Sequence, residues 1–113
     1  MTAFDDLERG DIVWGTDPLS DKGRPLLVLG TPRFPAHGVQ FIIVLVSTTI
    51  SHEESITLRD EDYEGAPLGT RRHVRPWSPA TLTSATDVDV YMTALVDERT
   101  ADVAARSIGY ITP

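Results

Sequence analysis

The sequence predicts a mainly β protein, α+β in class: a small, partly open β-barrel closed off by one C-terminal helix. Three observations carry this. Short apolar or alternating runs recur between turns that contain proline or glycine. Only one stretch, starting at Asp97, combines an acidic start with helical spacing. The chain has 113 residues, so residues 1–113 are expected to form a single domain with a modest core.

The first strand is expected within residues 10–15, where Ile12-Val13-Trp14 lies between glycines. Trp14 reads as a buried core aromatic, with stacking of a base near the groove as the alternative. Residues 17–23 form a polar turn punctuated by Pro18 and Gly23. Residues 26–29 are a continuous apolar run of strand length. Two prolines and a glycine make residues 31–38 a loop. Residues 40–46 are β-branched and apolar on both faces, so this strand belongs at the centre of the sheet. Residues 55–58 alternate as a half-buried strand does. Residues 60–69 are an acidic turn region. Residues 71–77 extend as another strand, residues 81–87 connect, and residues 88–95 form the last strand. In the helix, Asp97 is placed to cap the first turn. Val96, Val103, Ala104 and Ile108 are candidates for its apolar stripe, and Gly109 fits as its stop.

Composition narrows the function classes. Hydrophobic residues make up 41% of the chain, which is ordinary for a globular protein. The longest apolar run is far short of the ~20 residues a membrane helix needs. The acidic start Met1-Thr2-Ala3-Phe4-Asp5-Asp6 has no signal-peptide pattern. Cysteine is absent, which excludes disulfides and thiolate metal sites. These features point to the cytoplasm. Histidines lack metal-ligand spacing. The acidic run from Asp60 imitates the start of a calcium loop, but Arg71 stands where the closing glutamate belongs. No metal or cofactor is expected.

There are 17 acidic and 10 basic residues, and Lys22 is the single lysine. Such a composition suits a salty cytoplasm. The net charge of −7 disfavours unspecific nucleic-acid binding but allows a local basic site. At ~1 M salt the Debye length is only about 3 Å. Arginine then acts as a bidentate fork rather than as bulk charge.

One such site is visible. Arg24 sits at the mouth of the run Leu26-Leu27-Val28-Leu29. The next apolar strand ends in Ser47-Thr48-Thr49. If the two strands pair, one guanidinium and several hydroxyls meet at one rim and can hold a phosphate. Arg71, His73, Arg75 and Trp77 fall on one strand face at period two, a cationic stripe ending in an aromatic platform. That arrangement suits a single strand through phosphate contacts and base stacking. His73 adds a group that titrates near neutrality.

From Arg9-Gly10-Asp11-Ile12-Val13-Trp14, through Asp17-Pro18 and Gly23-Arg24-Pro25-Leu26-Leu27-Val28-Leu29, to Val46-Ser47-Thr48-Thr49, the chain resembles the PemK/MazF toxins. The order and spacing match over roughly residues 9–58. The loop after Asp17-Pro18 is shorter than is usual in that family. Val74-Arg75-Pro76-Trp77 stands where the family carries A-D-Q. The resemblance implies an SH3-like barrel, a homodimer, and metal-independent cleavage of single-stranded RNA such as mRNA. It also implies a cognate antitoxin with an acidic tail, and growth inhibition when the toxin is free. Arg24 and Thr48 would be the catalytic pair. Thr49, Arg71, His73, Arg75 and Trp77 would bind substrate. Arg24 would stabilise charge on phosphorus, since a guanidinium with a pKa above ~12 rarely gives up a proton. A different reading keeps the barrel without catalysis: a binding module that poisons a protein target such as gyrase, or binds only RNA or antitoxin. That reading needs an exposed apolar C-terminal element, and Ile108-Gly109-Tyr110-Ile111 is apolar enough to supply one.

Overall fold

The computed structural model describes residues 7–17, 22–30, 41–50, 52–82 and 88–111. Among them run β1 (Asp11–Thr16), β2 (Gly23–Gly30), β3 (Phe41–Ser47), β4 (Ile56–Thr57), β5 (His73–Leu82), β6 (Val88–Ala94) and α1 (Asp97–Ile111). The strands make one sheet in the order β4-β5-β3-β2-β1-β6, with every pairing antiparallel. The strand expected at the centre, β3, does lie inside the sheet, between β2 and β5.

Strand alternation divides the apolar residues between two faces. Val13, Leu26, Val28, Ile43 and Leu45 pack with Leu7 and Leu82 in one cluster. Ile12, Leu27, Val44, Val46, Ile56, Leu58, Val74 and Leu95 form the other, which Val103 of α1 covers. Strands buried on both faces read as unbroken apolar runs, as 26–29 and 41–46 do. Each fully buried Val, Leu or Ile contributes roughly 1.5–3 kcal/mol.

The sheet curls until its two ends meet. Tyr63, on the segment after β4, bridges to Leu95 at the end of β6. Glu64 N donates to Ala94 O at 2.9 Å, and Val96 N donates to Asp62 O at 2.9 Å. The result is the expected partly open barrel with a helix on one face. Gly10 sits at this closure with φ 99°. A Cβ there would lie 3.0 Å from Thr100 Oγ1, so both backbone and space call for glycine.

Three elements differ from the sequence reading. Trp14 is not buried but 36% exposed; its ring lies over Gly23, where a Cβ would come within 2.5 Å of Nε1. The strand expected over 71–77 starts at His73 and continues through Thr81 to Leu82. It bulges on the way, because Val44 pairs with Pro79 while Val46 pairs with Val74. Pro76, which has no N–H for a ladder, falls inside this bulge. Helix α1 runs through Gly109 to Ile111. Its first internal bond goes from Thr100 N to Val96 O, so Asp97 stands inside the first turn, where its charge favours the helix dipole. The buried face is Thr100, Val103 and Ser107, while Ile108 is 62% exposed. The expected loop over 31–38, with His37, and the connection over 83–87 lie outside the described residues. No helix among the described residues is long and apolar enough to cross a membrane.

Candidate functional site

The β1–β2 hairpin sets the first part of the site. Thr16 pairs with Gly23 and Gly15 with Arg24. Asp17 N donates to Lys22 O at 2.8 Å and closes the turn. The Asp17 side chain is buried, and its Oδ2 lies 2.9 Å from Arg24 Nε. The Nε–H is not aligned on that oxygen, so this contact acts through charge. The Arg24 side chain remains 36% exposed. Breaking such a pair from one side costs about 1–3 kcal/mol, less than for a fully buried pair because water reaches the arginine.

Strand β3 supplies the second part. Leu26 pairs with Leu45, and two residues further along each strand come Arg24 and Ser47. Period two puts both on the face of Leu26 and Leu45, at the same end of the sheet. Ser47 is buried. Its Oγ accepts from Thr49 N at 3.1 Å and from Arg75 Nη2 at 3.3 Å. The first bond is a local serine turn. It holds Thr48 at a corner just past the strand end, where Thr48 and Thr49 are both exposed.

Strand β5 extends the row. His73 pairs with Ser47 on one side and Thr57 on the other. Its Nδ1 lies 2.9 Å from Thr57 Oγ1. The ring is buried. Desolvation, and secondarily the positive charge of Arg71, hold its pKa below the usual imidazole value, so it is neutral at pH 7. Trp77 is half-buried and meets His52 edge to face, with centroids 5.1 Å apart.

The stripe expected from Arg71 to Trp77 is therefore not one surface. Arg71 precedes β5 and lies on the wall of a different depression. His73 is buried, Arg75 turns to Ser47, and the bulge carries Trp77 towards His52. What gathers at the strand ends is Arg24, Asp17, Ser47, Thr48, Thr49, Arg75 and His73. Sequence reasoning missed Asp17 as a member, while Ser47 was among the hydroxyls expected at this rim. The available signal was hairpin geometry, since an acid next to a Pro-containing turn faces an arginine opening the next strand. Among the described residues no three His, Asp or Glu side chains are grouped as a metal site would need.

No protein-family model and no curated protein matches the sequence. Solved structures do match in shape. An endoribonuclease from a mycobacterial species superposes with a TM-score of 0.67 at 18% identity, covering 95% of each chain. A mycobacterial endoribonuclease in complex with its cognate antitoxin gives 0.66 at 17% identity, over 95% of this chain and 97% of that one. The Mycobacterium tuberculosis toxin MazF-mt6 gives 0.65 at 20% identity, over 88% and 92%. At these identities what is common is the fold: the chain has the barrel-and-helix architecture of MazF toxins along nearly its whole length.

Proposed function

We propose that this chain is an endoribonuclease toxin of the PemK/MazF type that cuts single-stranded RNA without a metal ion. It would act in the cytoplasm as a homodimer and be held in check by a cognate antitoxin. The observation that carries the reading is the Arg24–Asp17 pair at the same strand ends as the Ser47-held Thr48 corner. The fold neighbours support it: two are named endoribonucleases, one of them bound to its antitoxin, and one is named a toxin.

In this reaction the RNA 2′-oxygen attacks phosphorus and loses its proton. Water takes the 2′-proton and supplies the proton that the departing 5′-oxygen takes up, and a 2′,3′-cyclic phosphate remains. Arg24 stabilises the extra negative charge that develops on the phosphoryl oxygens. Thr48 donates its hydroxyl to one of those oxygens and fixes the scissile group. Asp17 holds Arg24, and Ser47 holds the Thr48-Thr49 corner and Arg75. His73, buried against Thr57, positions its neighbours. It carries no proton to or from the RNA.

The purified protein is expected to cut a single-stranded RNA pool in EDTA and to leave 2′,3′-cyclic ends. Arg24→Ala should lower the rate by about 10²–10³-fold, and equal cutting by that variant would remove this mechanism. One observation favours a second reading, a protein-target poison: Ile108 and Tyr110 are exposed on α1. On that reading toxicity in cells survives Arg24→Ala and is lost in Ile108→Ser with Tyr110→Ser.

A further inference from the structure

A second basic feature lies away from the strand-end site. The 55–72 segment and α1 enclose an open depression of about 960 Å³. Its wall includes Arg59, Arg71, Arg72, Arg99 and Arg106, five of the nine arginines in a chain of net charge −7. None of Arg24, Ser47, Thr48 and Arg75 belongs to it.

Two of these arginines are fixed in advance. Arg99 Nε lies 3.0 Å from Asp62 Oδ1 and its Nη1 lies 2.9 Å from Asp102 Oδ2. Arg106 Nε lies 3.1 Å from Asp102 Oδ1. Asp62 is anchored in turn, because its Oδ2 accepts from Arg59 N at 2.9 Å. The other arginines are available. Arg59 is exposed and only 3.9 Å from Glu61. Arg71 and Arg72 make no side-chain hydrogen bond or ion pair among the described residues, and the shielded Nε of Arg72 is without an acceptor. Buried donors normally have acceptors, and a planar guanidinium matches two phosphate oxygens at once.

We propose that this depression binds a condensed oligophosphate, either inorganic triphosphate or the phosphate chain of a nucleoside triphosphate. Several arginines converging on one bowl suit a compact, multiply charged anion. A polynucleotide lying across it is the weaker fit. Single strands bind by base stacking along a basic groove, and Tyr63, itself partly buried, is the aromatic in this lining. Asp60 and Glu61 also belong to the wall, beside the five arginines, and add repulsion for every further phosphate of a long strand.

The test is calorimetric titration of inorganic triphosphate and of ATP, with a short single-stranded RNA as the control, into Arg24→Ala protein, whose use keeps the result independent of RNA cleavage. Both ligands should bind. Arg71→Gln and Arg72→Gln should each weaken them about tenfold, as expected for loss of a charge-assisted contact. Arg71 is exposed, so its substitution reads ligand contact even if the Arg72 variant folds poorly. Equal affinities assign the contact to the phosphate chain, and tighter ATP adds a base contact to it. No binding of either ligand, or binding unchanged in both variants, overturns the assignment. So does a loss confined to single-stranded RNA in both variants, which would make the depression part of the RNA path.

Discussion

Arg24 is useful only if it is held. Its side chain is long and partly exposed, and the buried carboxylate of Asp17 is what restrains it. Asp17→Asn keeps the shape and removes the charge. Cleavage should then fall about 10²-fold, the loss typical of a misplaced catalytic group, with melting temperature also lowered. An unchanged rate would show that Arg24 needs no anchor. His73 makes a different prediction. Its folded pKa lies below the ordinary imidazole value because burial disfavours the charged ring. The unfolded chain therefore binds the proton first as pH falls. Stability should be highest above about 6.5 and decline as pH drops below it, levelling off once pH passes the folded pKa. His73→Asn should flatten this part of the profile in thermal denaturation across about pH 5 to 8. A wild-type curve with no decline would contradict the burial argument. The cleavage rate should show no inflection traceable to His73, because in the proposed mechanism the buried ring carries no proton.

At the level of elements, the first hairpin owes its shape to one close approach. Gly23 carries the Trp14 ring, and a methyl group there overlaps it. Gly23→Ala should destabilise by about 1–3 kcal/mol, the usual cost of overpacking. Most of that should vanish in a Trp14→Ala background, so a double-mutant cycle by denaturant unfolding checks it, and additive losses would place the strain elsewhere. This contact also shows what the sequence made legible. Gly10, Gly23 and the unbroken apolar runs marked strand limits correctly, because turn chemistry and burial on two faces are local properties. Arg24 and the Ser47-Thr48-Thr49 corner were legible for the same reason, since adjacent strands bring their ends together. Trp14 was misread because an aromatic in an apolar strand looks the same whether it is core or cover for a glycine. Ile108 was misread because one step along a helix rotates a residue by about 100°, enough to move it from the buried face that Ser107 occupies. The β5 bulge depends on which β3 residue each partner meets, and no local pattern encodes that. Arg71 and Arg72 meet Arg99 and Arg106 only because Tyr63 bridges to Leu95, a contact across 32 positions of sequence.

The whole molecule sets the electrostatic terms under which it would meet RNA. Its net charge of −7 repels a polyanion, while the strand-end site presents two guanidiniums, Arg24 and Arg75. Each phosphate neutralised on a single strand contributes about −0.7 to the slope of log affinity against log salt. Two contacts give about −1.4. Repulsion from the acidic body acts in the opposite sense, because salt screens it. The Debye length falls from about 10 Å at 0.1 M to about 3 Å at 1 M, so added salt relieves repulsion while it competes for the local contacts. RNA affinity, measured on uncut substrate carrying a 2′-deoxy link at the cleavage site, should therefore fall more shallowly than −1.4 over this range. Arg75→Gln should flatten the slope by about 0.7, whereas neutralising distant carboxylates should steepen it towards −1.4. A wild-type slope of about −4 or steeper would mean a basic footprint several times larger than two arginines, and the Arg24–Arg75 corner would then be a minor part of the surface that RNA occupies.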